Sequence, residues 1–190
     1  MEPALMSSHR HDWCTPKHLI ESIEAVGQIV LDPCWSEDAA FEPPNRLTES
    51  DDGLAANWAQ HLGAALSGLW IREDQPRLVF VNPPYGRAIP KWVDKMADTW
   101  DELEGLRMPD PHSSAWDVQM IALLPARTDT RWFNRLCGSA SEICFLRGRL
   151  TFEGAPAPAP FPSMLVYWGR LAAFGRVFGQ QGQIMRLRDR

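Results

Sequence analysis

Four consecutive residues, Asn82-Pro83-Pro84-Tyr85, put a side-chain amide, a proline-fixed carbonyl and an aromatic face on one short turn. That set suits chemistry on an amine whose lone pair is delocalised into a ring. Such an amine is a poor nucleophile. Two hydrogen-bond acceptors aimed at its protons favour a pyramidal nitrogen with its lone pair pointed at an electrophile. The side-chain oxygen of Asn82 and the backbone oxygen of Pro83 are the candidate acceptors, and the proline ring restricts the geometry of the second. Tyr85 offers a flat face for stacking. An isolated NPPY is as readily a stiff turn with a core tyrosine, so the motif needs support from the elements that hold it.

Those elements read clearly. "RLVFV" before the motif is an apolar strand that the prolines end, because neither can donate a ladder hydrogen bond. In an open α/β sheet, ligands bind at such strand ends. "QIVLDPCW" is a second strand, stopped by Pro33, and "VQMIALLP" a third, whose continuous apolar run predicts burial on both faces. Helices are expected over "TPKHLIESIEAV", with Thr15 as N-cap and Pro16 at the first helical position, and within Gly53–His61. "IPKWVDKMADTW" reads as an amphipathic helix burying Ile89, Trp92, Val93, Met96 and Trp100, and "TDTRWFNRLCG" as a short helix capped by Thr128 or Asp129. "EICFL", "GRLTFEG" and "SMLVYWG" read as short strands, the last two joined by the extended connector "APAPAPFP". The order predicts an α/β fold: a mainly parallel, doubly wound, Rossmann-like sheet with an antiparallel edge hairpin, in a single domain. A flexible leader is expected over 1–11, the domain over 12–178 and a basic tail over 179–190.

The 190 residues suffice for one domain with a sizeable core, and 45% hydrophobic with 23% charged residues is ordinary for a globular chain. A net charge of -5 argues against binding nucleic acid by bulk electrostatics alone. It leaves room for a local basic face. Acidic residues dominate from Glu37 to Asp52, while Arg127, Arg131, Arg135, Arg147 and Arg149 gather later. Cys14, Cys34, Cys137 and Cys144 form no CxxC pair, which implies free thiols in a reducing cytosol. No metal site is expected, since His9, His11 and Cys14 have no second ligand cluster. No apolar run approaches 18 residues and no signal peptide opens the chain, so a cytoplasmic protein without a membrane partner is expected.

"VFVNPPYG" resembles the catalytic motif of amino methyltransferases that use S-adenosylmethionine. "DWCTP", "LDPCW", "DDGLAANW", "ALLPARTDTRWF" and "GRLTFEG…APFPSMLVYW" occur in order with it, and together they resemble the phage-type DNA N6-adenine methyltransferase family from about Asp12 to Trp168. The resemblance implies an enzyme that methylates the N6 amine of a flipped adenine in double-stranded DNA, in a bacterial or phage-infected cell. Asn82, Pro83, Pro84 and Tyr85 would be catalytic. S-adenosylmethionine would be held by Thr15, Pro16, Asp32, Pro33, Cys34, Asp52 and Asn82. Asp32 would face the cofactor's cationic methionine end, and Asp51 or Asp52 its ribose or adenine. Arg127, Arg147 and Arg149 would contact DNA.

Each assignment has a plainer counterpart. Asp32 is also a strand-end turn former, Thr15 a helix cap, Asp52 a solvated acid and Arg127 a partner for Asp129. Phe152 and Phe161 suit the core or its rim better than a base wedge. The glycine-rich turn of methyltransferases is missing, since Trp35-Ser36-Glu37 stand where glycines belong. This departure keeps open a non-catalytic DNA-binding module of the same fold. The motif's chemistry alone also admits RNA or a protein glutamine as acceptor. No separate target-recognition domain is visible, which leaves the loops at 101–117 and 148–162 as the places to read sequence. A monomer is adequate for one methyl transfer.

Overall fold

The computed structural model describes residues 13–66, 75–105, 118–170 and 172–187. Along the chain run α1 (Lys17–Glu24), β1 (Gln28–Asp32), β2 (Asn45–Arg46), a 3-10 turn (Glu49–Asp51), α2 (Trp58–Leu66), β3 (Arg77–Val81), α3 (Ile89–Gly105) and β4 (Val118–Pro125). After these come α4 (Arg131–Ser139), β5 (Glu142–Leu146), β6 (Ser163–Trp168), α5 (Ala173–Phe178) and β7 (Gly182–Arg186). The seven strands form one sheet in the order β2-β1-β3-β4-β6-β5-β7.

The pairs β1–β2, β1–β3 and β3–β4 are parallel, whereas β6 runs antiparallel to both β4 and β5. β5 therefore points the same way as β4. Five strands share one direction, so the segments following Asp32, Val81, Pro125 and Leu146 all emerge along one edge of the sheet. That edge is where an α/β sheet binds ligands.

Side-chain alternation explains why both faces are covered. Val79, Val81, Met120, Ala122 and Leu124 pack with Trp58 and Leu62 of α2, Trp92, Val93, Met96 and Trp100 of α3, and Phe133 and Leu136 of α4. Their neighbours Leu78, Phe80, Ile121 and Leu123 face the other way, against Leu19, Ile20 and Ile23 of α1 and Phe174 and Phe178 of α5. A strand with a helix layer on each side needs apolar residues at every position, which is the continuous run seen in β3 and β4.

Several expectations differ from what forms. The antiparallel part is more than an edge hairpin: β6 is inserted between β4 and β5, and β7 extends the sheet beyond β5. Residues 182–186 are thus an edge strand and not a tail. "GRLTFEG" makes no strand of the sheet. Gly148 and Gly154 turn the chain at φ 77° and 71°, conformations that favour glycine, and between them only Glu153 bridges to Cys14. α2 starts at Trp58, since Asp52 and Gly53 are used in the preceding turn. The cap of α4 is Thr130, whose hydroxyl accepts from the Phe133 N–H at 3.3 Å, in place of Thr128 or Asp129. Pro16, not Thr15, occupies the cap position of α1, its carbonyl accepting from the Leu19 and Ile20 amides at 2.9 and 3.1 Å. The leader and residues 106–117 of the expected recognition loop lie outside the described residues, and residues 101–105 belong to α3.

Candidate functional site

The turn after β3 carries Asn82, half-buried, followed by buried Pro83 and exposed Pro84. The side-chain amide of Asn82 donates to the Trp13 carbonyl at 2.8 Å and to the Thr15 hydroxyl at 3.2 Å. A backbone carbonyl can only accept, so the amide orientation is set: nitrogen toward Trp13, oxygen away. That oxygen is buried and meets no hydrogen-bond partner among the described residues. Leaving a buried acceptor unpaired costs about 1–3 kcal/mol. The turn thus holds a buried acceptor that no described residue supplies with a donor.

Tyr85 is half-buried on the same turn, with its hydroxyl donating to the Leu123 carbonyl of β4 at 3.2 Å. Burial pushes that hydroxyl well above the ordinary phenol range. It works here as a fixed donor and not as an acid. Around the ring stand Trp13, Phe152 and Phe161, at centroid distances of 6.0, 6.0 and 5.5 Å and steep angles. Trp13 lies nearly parallel to Phe161, at 5.3 Å and 13°. Phe152 is buried and Phe161 half-buried, which agrees with core and rim roles.

Beside the turn lies an open cleft of about 80 Å³ between the N-terminal segment and the ends of β1 and β3. Thr15, Asp32, Cys34 and Asn82 line it, with Phe41 and Phe80 as apolar wall and Pro84 at its rim. That volume is below the usual range of small-molecule sites, so a larger ligand would extend out of the cleft along the strand ends. The buried Asp32 carboxyl is pushed up to about 7 because burial disfavours its charge, an effect only partly offset by the Cys34 N–H, which donates at 2.8 Å. A cationic ligand would relieve the first effect. Burial and the nearby Asp32 hold the Cys34 thiol well above its usual range.

No glycine-rich loop follows β1. Its place is taken by a turn tied from outside: the Trp35 indole donates to the Phe41 carbonyl at 2.9 Å, and the Arg46 guanidinium lies over the Trp35 ring at 4.7 Å. The glycine that permits close approach is Gly53, on the facing loop. A Cβ there would sit 2.1 Å from the Pro33 carbonyl oxygen. A scan of the turn alone misses it, because closeness to Pro33 is a property of the fold. Asp52 beside it adopts φ 49°, and its Oδ1 accepts from the Leu54 and Ala55 amides at 3.2 and 3.3 Å. It is absent from the cleft lining. Asp51 is occupied by Thr48, whose hydrogen bonds hold its carboxyl below the usual range. Pro16 and Pro33 are buried supports of the two segments that frame the cleft.

The arginines reach the same edge by different routes. Arg127 is exposed at the end of β4, and its carbonyl accepts from the Thr130 hydroxyl at 2.8 Å. Arg147 and Arg149 follow β5 and line a second cleft, about 360 Å³, with His18 of α1, Gln181 and a floor of Leu19, Leu146 and Leu150. Neither makes an ion pair with a described residue, whereas Arg135 pairs with Asp94 and Asp98, and Arg170 with Glu104. Sequence reasoning included Trp13 in the DWCTP stretch without giving it a role and missed Phe41, His18 and Gln181, each of which joins its site only through contacts distant in the chain. His9 and His11 are outside the described residues; among the described ones no group of three or more His, Cys, Asp or Glu residues could hold a metal ion. No described helix is long and apolar enough to cross a membrane.

No curated protein matches the chain. A family model described as DNA N-6-adenine-methyltransferase (Dam) matches residues 3–168.

Proposed function

The chain belongs to the DNA N6-adenine methyltransferase family, and from that premise we propose that it transfers the methyl group of S-adenosylmethionine to the N6 amine of an adenine flipped out of double-stranded DNA. The observation that carries this reading is the clamped Asn82 amide with its free oxygen. An exocyclic amine is the donor that such an oxygen lacks. With one N–H held by Asn82 and the other by the Pro83 carbonyl, the nitrogen keeps its lone pair out of the ring and toward the methyl donor.

The cofactor fit rests on Asp32. A desolvated carboxyl at the cleft wall is suited to an ammonium group, which would hold it ionised. Thr15, Cys34 and Asn82 would line the same ligand, with Pro16 and Pro33 holding the frame. Asp52, exposed next to the close Gly53–Pro33 approach and outside the cleft lining, is the acid we assign to a ribose extending out of the cleft, through the Oδ2 that its backbone bonds leave unused. When bound, S-adenosylmethionine supplies a methyl group already activated on a cationic sulfur. The protein needs no nucleophile of its own. It excludes water with Phe41 and Phe80 and aligns the acceptor.

Flipping the base costs about a few kcal/mol, and stacking on Tyr85 returns roughly 1–3 kcal/mol. Phe161, the half-buried neighbour of Tyr85, must give way as the base enters. Arg127, Arg147 and Arg149 would take backbone phosphates along the same edge, which suits duplex DNA despite the net charge of -5. The work would be done as a monomer in the cytoplasm of a bacterial or phage-infected cell.

The test offers labelled S-adenosylmethionine with unmethylated duplex DNA, with RNA and with protein bearing accessible glutamines, each alone. Label in the DNA only is the expected result. Label in RNA or protein only would replace the acceptor. Cofactor binding absent from a calorimetric titration would replace the enzyme with a non-catalytic module.

A further inference from the structure

The Thr15 hydroxyl sits between the two halves of the site. It is buried, it lines the cleft, and its oxygen accepts from the Asn82 amide at 3.2 Å. A hydroxyl has one proton to donate besides its acceptor lone pairs. No described residue takes that proton, and Thr15 has been released from capping α1 because Pro16 occupies the cap position. Among the described residues, the cleft is the side on which that proton finds space.

We propose that Thr15 is a positioning residue: its hydroxyl donates to an acceptor group of the ligand in the cleft while accepting from Asn82, so that cofactor occupancy tightens the hold on a catalytic amide that the Trp13 carbonyl already orients. The inference rests on the reading of the cleft as the cofactor site. Two contacts hold the Asn82 nitrogen, and they differ in kind. The Trp13 carbonyl is backbone and accepts whatever the cleft contains. The Thr15 hydroxyl can rotate, and without a ligand no described residue anchors its proton, so its hold on the amide is the looser of the two. A ligand acceptor removes that freedom. Hydrogen bonds in a chain of this kind also polarise one another. Asn82 therefore presents its oxygen most firmly when the methyl donor is in place, which orders cofactor ahead of base.

Thr15→Val keeps the shape and removes the hydroxyl, and Thr15→Ser restores it. The first readout is the side-chain NH2 of Asn82 by 15N NMR, in the protein alone and with S-adenosylhomocysteine. The wild type is expected to show two resolved, exchange-protected protons that shift and gain protection on ligand binding. In Thr15→Val one proton loses protection and the ligand response of the amide disappears, while Thr15→Ser behaves as wild type. The second readout is methyl transfer at saturating cofactor and DNA, where the loss of one such hydrogen bond lowers kcat several-fold to about tenfold in Thr15→Val and is recovered in Thr15→Ser. A Thr15→Val protein whose Asn82 amide still responds to ligand, or whose kcat equals the wild type, overturns the relay. Loss of cofactor affinity with unchanged kcat would also overturn it, leaving Thr15 as a simple ligand contact. If valine unfolds the segment, as melting would reveal, Thr15→Ala carries the same expectations. A wild type that binds no cofactor fails the underlying reading instead, and is recognised before any variant is made.

Discussion

The NPPY turn and the connection from Arg147 to Pro162 stand on the same edge of the sheet and are built in opposite ways. In the turn, Asn82, Tyr85 and the neighbouring Asp32 each have a named partner within 3.2 Å, and the prolines leave the backbone little freedom. The longer connection has no helix or sheet strand. It is held by one bridge to Cys14, by the Ala159 amide on the Leu150 carbonyl at 2.8 Å, and by Phe152 in the core, while Arg147 and Arg149 remain exposed. On the proposed function the difference is a division of labour. Aligning an amine requires fixed acceptors, whereas following a phosphate backbone requires cations that adapt.

Outside Asn82, removing the ring of the rigid turn is expected to have the largest effect. Tyr85→Ala forfeits base stacking worth about 1–3 kcal/mol, so kcat/KM on DNA should fall about 10- to 100-fold. Tyr85→Phe keeps the ring and loses only the bond to Leu123, with activity near wild type and a stability loss of about 1 kcal/mol by denaturant titration. Equal damage from both variants would mean the hydroxyl and not the face matters.

On the adaptable side the signature is salt. Arg147→Ala and Arg149→Ala should each weaken DNA binding and lower the slope of log affinity against log salt by about 0.9. A double variant with unchanged slope would remove that cleft from the DNA surface.

The third effect is pH, and its sign follows from Asp32. Its carboxyl, raised from 3.8 to about 7, keeps a proton in the fold that the unfolded chain has released. Its contribution to stability is therefore fully present below the unfolded value and falls as pH rises through that window. A cationic ligand favours the ionised form, so cofactor binding should release a proton and tighten as pH rises toward 7. Asp32→Asn should flatten the dependence. A cofactor affinity independent of pH between 5 and 8 in the wild type would contradict the pairing.

The smallest effect should lie outside both regions. Thr130→Ala removes the α4 cap at a cost of about 1 kcal/mol in stability, read from the melting temperature, with methyl transfer unaffected. A drop in transfer would show that α4 reaches the site.

The sequence made the turn's side of this comparison legible because its signals are local. β1, β3, β4 and α3 are unbroken apolar or amphipathic runs ended by proline or entered from a turn, and the NPPY motif carries its own geometry. β7 was hidden because Gly182–Arg186 is half-exposed and pairs only on one side, so its pattern reads as polar tail. The "GRLTFEG" segment misled in the opposite direction: its apolar residues pack Phe152 among aromatics instead of lining a strand. What Trp13 and Gly53 do, within the quoted DWCTP and DDGLAANW stretches, was invisible for a third reason. Their roles, a carbonyl for Asn82 and a close approach to Pro33, exist only once the chain has folded.

The most direct test is transfer of labelled methyl to unmethylated duplex DNA by the wild type and Asn82→Ala side by side, with digestion to nucleosides and a parallel cofactor titration. The account predicts label in N6-methyldeoxyadenosine for the wild type, a loss of about 100- to 1,000-fold in the variant, and cofactor binding nearly intact in both. Label in another nucleoside, or transfer by Asn82→Ala at the wild-type rate, would contradict it.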